Sequence, residues 1–203
     1  VPLLGINLGR LGFLADISLN KMVASLRAVQ RGEYITDNRA VLEVSTESEP
    51  EIGIWALNDV SIGKGESGSL IQMKVTIDGE FAYNLRSDGL VVSTPTGSTA
   101  YALSAGGPII APGVDCILLV PVCPHSLSNR PIVISGTSKI EIELIEAIDA
   151  RVHIDSQTHL NIGEGGRLRI EVATPRVRLV HPSGHDYFGT LREKLHWAGT
   201  MGS

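Results

Sequence analysis

Cysteine is scarce in this chain, with two in 203 residues, Cys116 and Cys123. Without a second pair, neither a disulfide framework nor a cysteine zinc site can be built, and the apolar stretch around them predicts reduced thiols in a core. Positive charge is short as well. Seventeen Lys and Arg against 22 Asp and Glu leave a formal net charge of −5 and a pI near 5.7. That balance gives no footprint for a phosphate backbone, so nucleic acid is not an expected partner. Long apolar runs are missing too. The longest lies near residues 116–122, far below the ~20 residues that a helix needs to cross a bilayer. No charged-then-apolar leader opens the chain either, so the expected location is cytoplasmic, with no membrane partner.

What the chain does have is apolar content: 43% hydrophobic against 19% charged residues. That is enough for a sizeable core and for one domain or one domain with an appendage. There is no internal repeat or low-complexity tract. The chain opens on Val1-Pro2-Leu3-Leu4-Gly5-Ile6-Asn7, with no Met and no polar lead-in. It therefore reads as a buried strand begun in mid-element, and the expectation is an N-terminal truncation. Glycines 5, 9 and 12 make the next loop tight. Ser18 is a candidate N-cap for a helix over 19–31 with Met22, Val23 and Leu26 at helical spacing, stopped by Gly32.

After residue 32 the pattern changes to strands. Alternating or β-branched runs cover 40–44, 53–62 and 71–77, and Asp78-Gly79 is a two-residue hairpin signal before 80–84. Further strands are predicted over 90–92, 117–122, 131–134, 139–144, 151–155, 160–162, 168–172 and 177–180. So many short strands at close spacing imply an all-β sandwich or related multi-sheet domain. Two segments interrupt it: a short helix over 98–104, stopped by Gly106-Gly107-Pro108, and an amphipathic helical tail over 190–197.

The richest stretch for chemistry is Asp88-Gly-Leu-Val-Val-Ser-Thr-Pro-Thr-Gly-Ser-Thr-Ala-Tyr101, followed by Ser104-Ala-Gly-Gly-Pro108. An apolar strand runs into five hydroxyl residues and a helix start, where open N–H groups favour phosphate or carbonyl acceptors. Gly97 would let a ligand approach the backbone, Asp88 could accept from ribose hydroxyls, and Tyr101 offers a ring and an O–H. The same spacing also fits an ordinary capped turn. It is not a Walker A loop, since no Gly-Lys-Ser/Thr ending is present. The second feature is Asn58-Asp59, a polar pair inside an apolar run. An amide beside a carboxylate can read an adenine edge and a ribose diol, and a strand-end turn explains the pair equally well.

Several strings together resemble the NAD kinase family in order and spacing. They are Asn7-Leu-Gly-Arg-Leu-Gly-Phe-Leu14, Leu57-Asn-Asp-Val60, the Asp88 to Tyr101 string, Ser104 to Pro108, Pro124-His125 and Ser128-Asn-Arg-Pro131. Asp155-Ser156-Gln157 and the tail Asp186 to Trp197 extend the likeness over essentially the whole chain. The resemblance implies a mainly β, sandwich-like C-terminal domain over 35–185. Residues 1–34 would be the remnant of an N-terminal α/β domain, and 186–203 a C-terminal helical tail. It implies an enzyme that transfers the γ-phosphate of ATP to the 2′-hydroxyl of the adenosine ribose of NAD, giving NADP.

Residue by residue, the resemblance implies that Asn58 and Asp59 hold the adenosine part of NAD, with Asp59 where many members have Glu. Thr96, Thr99, Ala100, Tyr101 and Ser104 would surround the dinucleotide. Asp88 would contact the nicotinamide end across a subunit interface, in a homodimer or homotetramer. His125 and Arg130 look like framework. The family's Gly-Gly-Asp-Gly-Thr motif, whose aspartate lies near the attacking hydroxyl, is absent from these residues. The catalytic aspartate is therefore expected upstream of Val1, and the chain as given is expected to be catalytically incomplete. A sugar hydroxyl needs a positioned base, and the transferred phosphoryl group needs a cation, expected to be magnesium.

Two other readings stand beside it: a noncatalytic dinucleotide-binding module, and a relative of the lipid kinases, which share a β-rich C-terminal half. His181, His185 and Asp186 can be drawn as a metal site, but zinc usually brings further Cys or His, so no metal site is expected. His153 and His159 read as hairpin residues flanking Asp155. Arg167, Arg169, Arg176 and Arg178 alternate with apolar residues and read as a solvated face.

Overall fold

The Asp78-Gly79 dipeptide turns the chain as its sequence predicts. Both residues take positive φ, 53° and 82°, the left-handed pair that a two-residue hairpin turn requires and that glycine adopts without a steric clash. The turn joins Ile71–Ile77 to Glu80–Ser87 in antiparallel pairing, with Ile77 opposite Glu80. The structure, a computed structural model, describes residues 1–8, 13–47, 53–65, 69–126 and 128–195. Gly9 and Gly12 of the predicted tight loop, and the end of the predicted tail including Trp197, lie outside the described residues.

By its contacts the chain divides into two units, residues 39–176 and residues 1–38 with 177–203. The larger unit is a β-sandwich of two six-stranded sheets. In one sheet the order is Ile132–Ser135, Cys116–Val122, Gly89–Ser93, Asp59–Lys64, Ala150–Ile154 and Thr158–Ile162. In the other it is Ile54–Ala56, Leu42–Thr46, Arg167–Val172, Ile140–Glu146, Ile71–Ile77 and Glu80–Ser87. Every pairing within them is antiparallel.

The continuous apolar runs have a two-faced explanation. Successive side chains of a strand point to opposite faces. Ile117 and Leu119 enter the sandwich core beside Leu90, Val92, Ile142 and Leu168, whereas Cys116, Leu118 and Val120 enter a second cluster with Val91, Ala102 and Ile110. That second cluster is roofed by the short helix Tyr101–Ser104, whose Ala102 is fully buried. The sheet at the candidate site is therefore covered on both faces, and its strands read as apolar without alternation.

The structure corrects several expectations. The predicted 53–62 strand is two strands in different sheets, Ile54–Ala56 and Asp59–Lys64, because the chain crosses between sheets at Leu57-Asn58. Residues 98–104 are not one helix. A 3-10 turn over Gly97–Thr99 precedes Tyr101–Ser104, with a break at Ala100 (φ −102°, ψ −128°). Cys123 is exposed at φ 45°, so only Cys116 is a core thiol. The opening segment is not buried. It forms two short strands, Leu3–Leu4 and Ile6–Asn7, each paired with one partner strand among the described residues, and leaves Leu3 half exposed.

In the smaller unit Leu3–Leu4 pairs in parallel with the strand Val177–Pro182, Leu3 opposite Leu179, and Ile6–Asn7 pairs with Ile17–Ser18. The C-terminal part of the chain thus lies against its beginning. Ser18 does not cap the following helix. Its hydroxyl donates to Asn20 Oδ1 at 2.5 Å, and a 3-10 turn over Leu19–Lys21 leads into the helix Met22–Gln30. On that helix Val23 and Leu26 are exposed and Ser25 is buried, so the predicted apolar stripe is not the inner face. The tail is helical over Tyr187–Leu195.

Candidate functional site

The crossing between sheets is held by one carboxylate. Asp155 accepts from the backbone N–H groups of Leu57 (2.6 Å), Asn58 (2.7 Å) and Asp59 (3.1 Å). These are donors that a continuous strand would have offered to its neighbour, and leaving one unpaired when buried costs about 1–3 kcal/mol. Asp155 and Ser156 both have positive φ, 48° and 57°, which is strained for non-glycine residues. The strain is sustained by the three N–H bonds and by the Asp155 N–H, which donates back to the Asp59 carbonyl at 3.0 Å.

Facing this turn is the hydroxyl-rich loop. Thr94 Oγ1 donates to the Leu57 carbonyl (2.6 Å) and accepts the Gly97 N–H (3.1 Å), while the Thr94 N–H donates to the Asn58 carbonyl (2.9 Å). Ser98 donates to the Pro95 carbonyl (2.7 Å) and accepts the Ile110 N–H (3.0 Å). Thr94 and Ser98 therefore act as internal turn caps. The loop lies so close to the crossing that a Cβ on Gly97 would collide with the Asn58 carbonyl. Glycine is required there by protein backbone and not, as the sequence suggested, by an approaching ligand. The expectation of open N–H groups at a helix start is also corrected. The N–H groups of Gly97, Ser98 and Ala100 have acceptors within the loop, and that of Tyr101 donates to the Asp59 carboxylate.

The side chains left facing outward around this junction are Asn58, Thr99, Ala100, Tyr101 and Ser104, each half-buried or exposed, while Asp59 and Thr96 are buried beneath them. Burial, with the Asp155 charge beside it, pushes the Asp59 carboxyl up to about 6. Beneath the loop, the Arg39 guanidinium is 3% exposed and donates to Thr96 Oγ1 at 3.2 Å. A cation and a carboxylate of raised pKa thus lie under one small polar surface, suited to a ligand carrying both hydroxyls and negative charge. Arg39 carries no signal in the sequence that marks it. Asp155 stands there in the family likeness and between two hairpin histidines, and no local pattern announces a side chain that pairs with a turn almost a hundred residues away.

Asp88 is elsewhere. Ser93 lies opposite Asp59 in the ladder and Gly89 opposite Gly63. Asp88 is thus five residues further along, roughly 17 Å at ~3.4 Å per residue. Its carboxylate pairs with Lys64 Nζ at 2.7 Å. His153 and His159 are cross-strand partners with Nδ1 atoms 2.7 Å apart. The arginines Arg167, Arg169 and Arg176 bond to Glu143, Glu141 and Asp115 respectively on an exposed face.

The smaller unit holds a second polar cluster, and it corrects the sequence. Asp186 pairs with Arg192, not with the histidines. The carboxylate that meets them is Asp16, whose Oδ2 lies 3.1 Å from His181 Nδ1 and 2.6 Å from His185 Nδ1. Burial opposes ionisation of Asp16, but the hydrogen bonds and charges of His181 and then His185 outweigh it and hold the carboxyl below its usual range.

Comparison with known proteins places this geometry. Residues 57–182 match the family described as ATP-NAD kinase C-terminal domain, a span running from the Leu57 crossing to the strand that carries His181. The chain belongs to the NAD kinase family, a family of phosphotransferases, and corresponds to its C-terminal portion. It is 50% identical over 199 residues to an NAD kinase of Thiobacillus denitrificans, covering 97% of this chain and 69% of that protein. It is also 50% identical to an NAD kinase of Aromatoleum aromaticum, covering 98% and 67%. Among solved structures it resembles yeast NADH kinase complexed with NADH, with a TM-score of 0.93 and 30% identity over 99% of this chain and 60% of the yeast chain. An Archaeoglobus fulgidus NAD kinase in complex with ATP gives 0.79 and 30% over 96% and 74%. The chain thus spans about two thirds of the length of these curated relatives. A mainly β domain with a C-terminal helix was the expected fold, and the structure bears it out.

Proposed function

We propose that this chain provides the NAD-binding and oligomerising part of an enzyme that phosphorylates the adenosine 2′-hydroxyl of NAD with ATP. The observation that supports this best is the Asn58-Asp59 turn, clamped by Asp155 and set against the Thr94 to Tyr101 loop. Asn58 supplies both a donor and an acceptor for the adenine edge, and an ionised Asp59 accepts from ribose hydroxyls. Thr96, Thr99, Ala100, Tyr101 and Ser104 line the dinucleotide, with Arg39 beneath adding favourable potential for its phosphates. Asp88, roughly 17 Å away along the same sheet, does not meet the adenosine end beside them and serves the nicotinamide end of a site in a neighbouring subunit of a homodimer or homotetramer.

Magnesium enters as the partner of ATP. At this junction Asp155 is committed to three N–H groups and Asp59 is buried, which leaves no carboxylate pair free to cage a small hard cation. Binding through the ATP phosphates suits magnesium better. The expected cytoplasmic location and the domain boundaries after residues 34 and 185 belong to this same proposal. So does the catalytic aspartate, which lies in a Gly-Gly-Asp-Gly-Thr segment outside these 203 residues. The noncatalytic-module and lipid-kinase readings are not favoured by the relatives.

The test is NADP formation from NAD and magnesium-ATP, reported by a dehydrogenase that accepts only NADP. The 203-residue chain should be silent while binding NAD, and a chain carrying the acidic glycine segment should turn over. Turnover by the 203 residues alone would overturn the account of where the base lies.

A further inference from the structure

His181 and His185 are spaced so that their rings stack, with centroids 4.0 Å apart and 20° between planes. His181 ends the strand Val177–Pro182 and His185 follows the turn through Gly184. Both Nδ1 atoms converge on a single carboxylate oxygen of Asp16, and one ligating atom from each of the three residues lies within 4.8 Å of the others. All three belong to the smaller unit.

Simple hydrogen bonding accounts for this cluster incompletely. Asp16 Oδ1 and His181 Nε2 are both buried without a protein partner, and His181 is 1% exposed. If both rings donate Nδ1–H to Asp16, the lone pair of His181 Nε2 is buried without a donor. If both rings are charged to supply donors, two imidazolium ions stack face to face. Each arrangement leaves a desolvated polar atom unsatisfied, which is costly in a dry interior.

We propose that Asp16, His181 and His185 bind a divalent transition metal of the zinc class, with an open coordination position. Two imidazoles and a carboxylate are a borderline-soft donor set that selects zinc-like ions over magnesium, and three protein ligands with one vacant position are a recurrent zinc arrangement. The ion replaces the two protons shared between Asp16 and the rings. In doing so it removes the repulsion between stacked imidazoliums, and bound through both carboxylate oxygens it gives Asp16 Oδ1 a partner, while His181 Nε2 keeps its proton and stays without one. The separations of 2.6 and 3.1 Å need to open by about 0.7 and about 0.2 Å to reach the ~3.3 Å edge of a tetrahedron with ~2.0–2.1 Å bonds. The fourth position is offered by a pocket of about 520 Å³ that Asp16 and His185 line, together with Lys21, Ser25, Asp186 and Glu193. Asp16, Asp186 and Glu193 face one lysine there, with Asp186 paired to Arg192. The ion ties the segment before Ile17 to the start of the C-terminal helix.

The test is metal binding by the full chain after removal of metal with a chelator. Zinc is titrated against a competing chelating dye, and cobalt is added separately for its visible absorption. One equivalent of zinc should bind and resist excess magnesium, and cobalt should give a tetrahedral-type spectrum. Asp16→Asn and His185→Gln should each weaken binding by at least about tenfold, the scale of losses seen even for supporting residues of metal sites. His185 is the decisive position because it lies at a turn, and near-ultraviolet circular dichroism checks that the variant keeps its fold. His159→Ala, which breaks the exposed His153–His159 pair, should change nothing. The proposal is overturned by a chain that takes up no zinc, by unchanged binding in folded His185→Gln, or by loss of binding in His159→Ala.

Discussion

Asp155 spends its charge on three backbone N–H groups, so replacing it separates geometry from electrostatics. Asp155→Asn keeps the size but offers one carbonyl oxygen to donors that now share two. The expected loss is about 1–3 kcal/mol of stability, read from urea unfolding, with weaker NAD binding because the Asn58 turn relaxes. The same change removes the charge that helps to hold the Asp59 carboxyl near 6. Its titration, followed by carboxyl carbon NMR, should move downward. Asp59 also sets a pH dependence. Its folded pKa lies above the ordinary aspartate value of 3.8, so its contribution to stability is fully present below about 4 and is lost as pH rises toward and through about 6. Ribose binding has the opposite preference, because an ionised Asp59 is the acceptor. NAD affinity should therefore fall as pH drops below about 6, and an affinity unchanged between pH 5 and 7 would remove Asp59 from ribose binding. Residue types were legible in the sequence at this scale and partners were not. Asn58-Asp59 stood out as a polar interruption, but the reason Gly97 must be glycine is the Asn58 carbonyl, a contact across 39 positions that spacing does not encode.

At the scale of elements, the strand Cys116–Val122 gives the sharpest test of two-sided burial. Leu118 and Leu119 point to opposite faces and both are 0% exposed. Leu118→Ala and Leu119→Ala should each cost about 2–5 kcal/mol, measured by the shift in denaturation midpoint. On a sheet with one solvated face, one of the two would be nearly neutral. Leu118→Ala should also loosen the loop above it, because that side chain packs in the cluster with Ala102. Elements governed by local chemistry were legible: the Asp78-Gly79 hairpin, the alternating 140–146 and 167–172 strands, and the apolar 116–122 run. Those governed by tertiary partners were not. The break at Leu57 depends on Asp155. The strand Tyr34–Arg39 carries Asp37 and Asn38 and is mostly exposed, so only its place beside Val177–Pro182 makes it a strand. The apolar residues of the Met22–Gln30 helix suggested an inner face, yet Ser25 takes that position.

At the scale of the whole molecule, the separation of Asp88 from Asn58 decides how many copies a site requires. Two carboxamide and carboxylate groups roughly 17 Å apart along one sheet cannot meet the same end of a dinucleotide, but they can serve its two ends or two different sites. The shared-site reading makes a quantitative claim. Asn58→Ala and Asp88→Ala chains, each purified alone, should bind NAD poorly. When the two are unfolded together and refolded in equal amounts as a dimer, half the assemblies are mixed. Each mixed dimer then contains one site with both native residues and one with neither, so about a quarter of all sites recover. If each site lies within one chain, every site keeps one defect whatever its neighbour, and mixing recovers nothing. The comparison uses calorimetric NAD binding and so does not depend on turnover, and Lys64→Met serves as its control. Lys64 pairs with Asp88, and freeing that carboxylate should strengthen the contact if Asp88 reaches a ligand, whereas it should leave NAD affinity unchanged if the ion pair is only a surface feature, worth at most about 1 kcal/mol of stability.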